Sequence, residues 1–465
     1  MPLILGTNSI KDTGYNVDNS LRFNRGSTDN LSRTFGTATS QKTFTWSFWY
    51  KKTKTATDMY FFENTGGSTT QGSIAFGSDD KLFLFDQTNG ALVYSSLLLR
   101  DTSAWYHIVI RVDTTQSTAT DRIRMYFNGV QNTLTGTQPS QNTDLPLVSS
   151  SGSEGTIGKY DNTNSNLDGY LCEVVFCDGQ SLAPTSFGEF DEDSPTIWKP
   201  KDGLADDLTF GNNGFYLDFE NSGSLGADVS GNGNNFTVNN LTAVDQSTDT
   251  CTNNFATLNR LAWTTGTGLT FSEGNLKVAN SVSDWRPVIS TIPVTTGKWY
   301  CEIKCTAIGS GAQYGVTPIT DYNDPGNLAF NIGDQARTFV YINDGNKENN
   351  GSAASYGNTY TTNDIIGIAI DLTNNYIYFS KNGNFQASGD PTSGSSGTNA
   401  AYALTDGYYY GFTFATNAGT AEINFGSPSF SISSGNTDGN GYGNFEYAVP
   451  SGYYSLCTKN LAEYG

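Results

Sequence analysis

The sequence predicts an all-β protein built as two tandem antiparallel β-sandwiches. Three observations carry that expectation. Two runs, Asp121 to Gly129 and Asp364 to Gly383, are β-branched and aromatic and stop at Asn-Gly. That dipeptide supplies the positive φ angles of a type I′ hairpin turn. The 465 residues include 51 Gly, 26 Tyr and 28 Phe but few Lys and Glu, which favours strands over helices. Short apolar alternations recur between Gly/Asn turns, and no heptad, Gly-X-Y or long helical pattern interrupts them.

Residues 1–200 read as the first sandwich. Phe44, Trp46, Phe48 and Tyr50 alternate onto one face, and the run Lys81 to Phe85 follows Asp79-Asp80. In Trp105 to Val112, Tyr106, Ile108, Ile110 and Val112 are expected to point inward and His107 and Arg111 outward. Arg122 to Phe127 completes the hairpin into Asn128-Gly129. Gly155 to Gly158 and Leu167 to Phe176 supply the last strands. The motifs Leu21-Arg-Phe-Asn24, Phe44 to Trp49, Trp105 to Val109, Met125 to Gly129 and Leu167 to Val174 together resemble a laminin-G-like, concanavalin A-like jelly roll.

Residues 201–257 read as an ordered connector, because Phe215, Phe219 and neighbouring aromatics need burial. Residues 258–435 read as the second sandwich. Lys298 to Cys305 is a strand; Ile366, Ile368, Ile370 and Leu372 share a face; Tyr408, Tyr410, Phe412 and Phe414 alternate. The motifs Trp299 to Ile303, Asp364 to Asp371, Ile377 to Gly383 and Ile423 to Gly426 resemble the SPRY family, itself a concanavalin-like sandwich. Residues 436–465 are expected to pack back onto a domain.

The whole order resembles virion surface proteins of marine bacteriophages, of the tail-fibre or capsid-decoration kind. The segments Asp193 to Pro200, Gly233 to Thr237 and Leu456 to Leu461 carry that resemblance, together with the two domains. It implies a non-enzymatic protein on the virion surface after assembly in the host bacterial cytoplasm. Its implied partners are other virion structural proteins, further copies of itself, and a host-surface polysaccharide. The alternatives are a free carbohydrate-binding or glucanase-like protein and a cell-surface adhesin.

The net charge of −20 lacks the basic footprint of a nucleic-acid binder. No segment approaches the ~20 apolar residues of a membrane helix, so no membrane insertion is expected. Met1 to Gly6 has no basic n-region and no long apolar h-region, and an export signal is not expected there. Free thiols are expected for all six cysteines. Cys301 and Cys305, in an extended run, stand ~13 Å apart, too far for a disulfide. Cys172 and Cys177, five apart, are expected on opposite faces of their strand.

No catalytic residue is expected. His107 is the sole candidate base, and no G-x-S-x-G elbow lies near it. Glu189-Phe-Asp-Glu-Asp193 is the nearest match to a glucanase Glu-x-Asp-x-Glu strand, but its third acid is Asp and it reads as a loop. No cofactor is required. Oxygen-rich loops admit calcium, with Asp161, Asp168 and Asp191 as candidate ligands. For glycan binding the candidate platforms are Trp49, Trp105 and Trp285. The family resemblance directs attention to variable loops at 314–329 and 344–360, hence to Tyr314, Tyr322 and Tyr356.

Overall fold

The structure, a computed structural model, describes residues 14–66, 69–148, 152–160, 165–262, 268–322 and 331–465, without the side chains of 66 and 69–71. Two compact units part between Thr252 and Asn253.

The first unit packs two eight-stranded antiparallel sheets face to face. One runs Val130–Asn132, Ile123–Phe127, Trp105–Asp113, Thr43–Lys52, Gly169–Asp178, Ser20–Phe23 and Gln246–Ser247, with Phe215–Leu217 also paired to Gly169–Asp178. The other runs Leu134–Thr137, Ala91–Ser95, Leu82–Asp86, Thr69–Phe76, Met59–Gly66, Glu154–Ile157, Asn30–Thr34 and Thr237–Asn239. Period-two alternation turns Phe44, Trp46, Phe48 and Tyr50 into the core between them. Trp46 is wholly buried, with ring centroids 4.8 Å from Phe176, 5.4 Å from Phe61 and 5.5 Å from Phe215.

Both Asn-Gly turns form as their chemistry demands. Asn128 and Gly129 have φ of 46° and 78°, and Asn382 and Gly383 have 48° and 79°.

The expected connector belongs largely to the first unit. Phe215–Leu217, Thr237–Asn239 and Gln246–Ser247 each add to one of its sheets. Phe215, Phe219 and Phe236 complete its core. Segments from Phe187 to Leu208 also cover the outer face of the sheet that carries Trp105–Asp113. That cover corrects the expectation for His107, which is 1% exposed rather than outward in solvent.

A bulge corrects the reading of Cys172 and Cys177. The register of Gly169–Asp178 against Thr43–Lys52 shifts between Cys172 and Val175, where Glu173 takes φ 52°. The extra residue cancels the odd spacing. Leu171, Val174 and Phe176 enter the inner core, and both cysteines lie on the outer face, Cys172 beside Trp49 and Cys177 beside Val109. All six cysteines are free thiols.

The second unit repeats the sandwich. Its six-stranded sheet runs Trp285–Ile289, Tyr410–Asn417, Gly311–Pro318, Phe339–Ile342, Asn346–Asn349 and Ser352–Ser355. Its nine-stranded sheet is centred on Lys298–Ala307 and Ile365–Asp371. Ile366, Ile368, Ile370, Cys301 and Cys305 share the core with Phe412 and Phe414. Residues 436–465 lie on this unit. Glu302 accepts the backbone N–H groups of Glu446 (2.9 Å) and Tyr447 (2.8 Å), and Tyr454–Ser455 pairs in parallel with Lys298–Ala307.

Candidate functional site

At one corner of the first unit the chain steps from one sheet to the other. Val130–Asn132 is the terminal strand of its sheet and Leu134–Thr137 of the opposite sheet, with Thr133 alone between them. A cleft of about 340 Å³ opens at this step. Ile123, fully buried, and Leu134, packed on the core, are its apolar lining. Gln138 fixes one wall: its Oε1 accepts from the Ile123 N–H (3.2 Å) and its Nε2 donates to the Ile123 carbonyl (3.3 Å). The amide thus stands in for a missing ladder partner at an open edge. Arg124 pairs with Asp121 at 2.6 Å, and that hydrogen-bonded pair raises the guanidinium pKa further.

The remaining lining is neutral and uncommitted. Among the described residues nothing engages the side chains of Thr120, Gln131, Thr133 or Thr135, all exposed. Asn132 uses its Oδ1 for the Ser96 N–H (2.8 Å) and hydroxyl (3.2 Å), which fixes its orientation. The strands that meet at the corner lie in 87–99 and 125–143, which carry no charged residue in a chain of net charge −20, and Arg124 from the adjoining strand is the charged member of the lining. Free hydroxyls and amides over a small apolar floor suit a neutral, hydroxyl-rich ligand.

The residues expected from sequence mostly serve packing. Trp49 and Trp105 are buried; Trp49 lies 4.7 Å from the His107 ring, and Trp105 donates its Nε1–H to Asp249 (3.0 Å). Neither presents a platform, because later segments cover that sheet face. Tyr314 is fully buried against Tyr360, and Tyr322 is buried with its hydroxyl on the Pro287 carbonyl (3.0 Å). Tyr356 is half-buried, edge-on to Tyr341 and Phe379. Trp285 alone of the three candidate tryptophans keeps partial exposure.

Asp161 lies outside the described residues. Asp168 accepts from the Thr53 hydroxyl (2.9 Å). Asp191 accepts from the Ser194 N–H (2.8 Å) and pairs with Lys199 (3.3 Å). The two carboxylates are held by protein donors, and the described residues contain no group of three or more His, Cys, Asp or Glu placed to hold a metal.

Ser47 and His107 form a hydrogen-bonded pair, Oγ to Nε2 at 2.9 Å. Trp198 Nε1–H donates to Nδ1 of the same ring at 2.9 Å, so the imidazole proton sits on Nε2 and is donated to Ser47. A general base needs the opposite arrangement. Burial pushes the His107 pKa down to about 3 and keeps the ring neutral. Glu189 lies in the short strand Gly188–Phe190 rather than in a loop, and Asp191 begins the turn back to Trp198–Pro200.

Sequence reasoning missed the cleft residues Arg124, Gln131, Thr133 and Thr135. For the last three the signal is the long uncharged stretch 125–143 in an acidic chain, a pattern that has meaning only once both edges meet.

Residues 25–183 match the family described as the concanavalin A-like lectin/glucanases superfamily, and residues 298–427 match the SPRY domain. A curated relative, the ATP-dependent RNA helicase DDX1 of Xenopus laevis, is 30% identical over 112 residues. The match covers 24% of this chain and 14% of the helicase, so the chain spans a small part of that relative. Similar solved structures include the SPRY domain of human HERC1, at 17% identity and TM-score 0.25 over 32% of this chain and 87% of that one. Another is the heptameric SAP-like pentraxin from Limulus polyphemus, at 15% identity and TM-score 0.28 over 36% of this chain and 80% of that one.

Proposed function

We propose that this chain, a concanavalin A-like domain followed by a SPRY domain, is a non-enzymatic recognition protein of a bacteriophage virion surface, and that it binds a neutral host-surface glycan. The observation that carries the ligand class is the corner cleft, whose uncommitted Thr and Gln side chains are unopposed by any unpaired charge. Hydroxyl groups of a sugar satisfy such donors and acceptors together. The strong net negative charge disfavours polyanionic ligands, nucleic acid included.

The absence of chemistry is supported by the proton on His107, which points the wrong way to activate Ser47. The virion assignment is supported by the order of sequence motifs along the chain. In this reading the protein reaches the particle in the host cytoplasm and sits there as an oligomer beside other structural proteins, as tail fibre or capsid decoration.

Two measurements test the proposal. Mass spectrometry of density-purified particles is expected to detect the chain; recovery in the free soluble fraction alone would sink the virion assignment. Titration with maltohexaose, cellohexaose and laminarihexaose is expected to find a ligand whose binding weakens at least about tenfold in Gln131→Ala/Thr135→Ala, and binding unchanged by that pair would sink the cleft.

A further inference from the structure

We infer that Trp285 forms a second sugar platform, in the SPRY unit, that takes the apolar face of a neutral pyranose. Trp285 opens the terminal strand of the six-stranded sheet, opposite Asn417, and Asn417 in turn stands opposite Gly311 on the next strand. A Cβ built on Gly311 would fall 2.8 Å from the indole Cη2. The indole therefore crosses the intervening strand and lies down on Gly311, across roughly 10 Å of sheet.

Of the described tryptophans, Trp46, Trp49, Trp105, Trp198 and Trp299 are buried, and Trp285 is not. Its seated side packs with Ile332, Val340 and Ala415. The backbone that carries the ring is also fixed: the Asp284 carboxylate accepts the Trp285 backbone N–H (3.0 Å) and pairs with Arg286 (3.2 Å), and the Asp284 carbonyl accepts from Asn280 (2.8 Å). A preformed aromatic surface loses little entropy on binding.

One amide lies beside the ring's seat, with Asn343 Oδ1 3.7 Å from the same Cβ position on Gly311. Asn343 Oδ1 accepts the Ala312 N–H at 2.9 Å, which leaves its Nδ2 uncommitted among the described residues. An indole face beside an amide donor matches a pyranose, which offers a C–H face and a rim of hydroxyls. The inference borrows its ligand class, a neutral glycan, from the proposed function, while its site is separate from the cleft.

The test uses the full chain in the cleft-deficient background Gln131→Ala/Thr135→Ala, titrated with maltohexaose, cellohexaose and laminarihexaose, and with an alginate hexamer as anionic control. Residual binding of at least one neutral hexaose is expected. Trp285→Ala is expected to weaken it about tenfold, and Trp285→Phe about threefold. Gly311→Ala is expected to weaken it as well, because the new methyl lifts the ring. The Phe and Gly311 variants decide the matter if the Ala variant does not fold. Absence of residual binding while the intact chain binds, equal binding by all three variants, or binding of the alginate hexamer alone overturns the platform and leaves the cleft standing. Failure of the intact chain to bind any neutral hexaose overturns both readings.

Discussion

Tyr216 donates its hydroxyl to Glu173 at 2.6 Å, and Glu173 holds left-handed backbone, φ 52°, inside a strand. Tyr15 donates to the same carboxyl oxygen at 3.3 Å. Burial pushes the Glu173 carboxyl up to about 8, with Asp218 and Glu220 adding to the rise against the two tyrosines. A single bulge residue thus joins the start of the first unit to the late strand Phe215–Leu217.

The raised acid predicts a pH dependence of stability. Protonated in the folded state and ionised when unfolded, Glu173 favours folding fully below its ordinary value near 4.5. That contribution disappears as pH rises through about 8. The melting temperature of the first unit is expected to fall between pH 5 and 9, and Glu173→Gln to flatten that fall. A mutant slope equal to the parent's would refute the assignment. Glu302, pushed up to about 7, works in the same direction in the second unit, so a probe local to the first unit is needed.

His107 behaves with the opposite sign. Its depressed pKa contributes stability above the ordinary value of 6.5, and the contribution is lost as pH falls toward 3. Ser47→Ala removes the acceptor of its buried Nε2–H and is expected to cost about 1–3 kcal/mol in urea unfolding at pH 7.5.

Lys51 and Asp249 form a buried ion pair at 2.6 Å, with side-chain exposures of 0% and 1%. Asp249→Ala strands the ammonium and also removes the acceptor of the Trp105 indole N–H. The expected loss is about 3–5 kcal/mol, read from denaturant unfolding of the first unit. A loss under about 1 kcal/mol would show that Lys51 finds water instead.

Binding in the cleft is expected to be insensitive to salt. Its free groups are neutral and its one cation is already paired. Raising NaCl from 50 to 500 mM should leave the Kd for a neutral hexaose within about twofold. Gln131→Ala/Thr135→Ala should raise it by at least about tenfold. A steep salt slope would point to an anionic ligand held by Arg124.

Period-two alternation and Asn-Gly turns made the strands legible, since each is a local property. Phe44, Trp46, Phe48 and Tyr50 face the core for that reason, as do Ile366, Ile368 and Ile370. The outer sheet face was not legible at His107, because Trp198, 91 residues later, decides whether that face meets water. Nor was the side on which Cys177 falls, since a bulge leaves no residue-type signature when its positive φ falls on Glu173 rather than Gly. The platform residues Trp49 and Trp105 failed for the same long-range reason. The cleft escaped because it joins the edges of two sheets, and neither edge is distinctive alone.

The Lys51–Asp249 pair also sets a timetable. Its partners are 198 residues apart. The late strands Phe215–Leu217, Thr237–Asn239 and Gln246–Ser247 are likewise required to finish sheets begun near Ser20 and Asn30. On a ribosome, the first unit therefore cannot close until nearly its whole length has emerged, and its apolar faces wait for the last strands. A fragment ended at residue 183, where the family match stops, would reproduce that waiting intermediate permanently. Such a fragment should aggregate, and one ended at 252 should not.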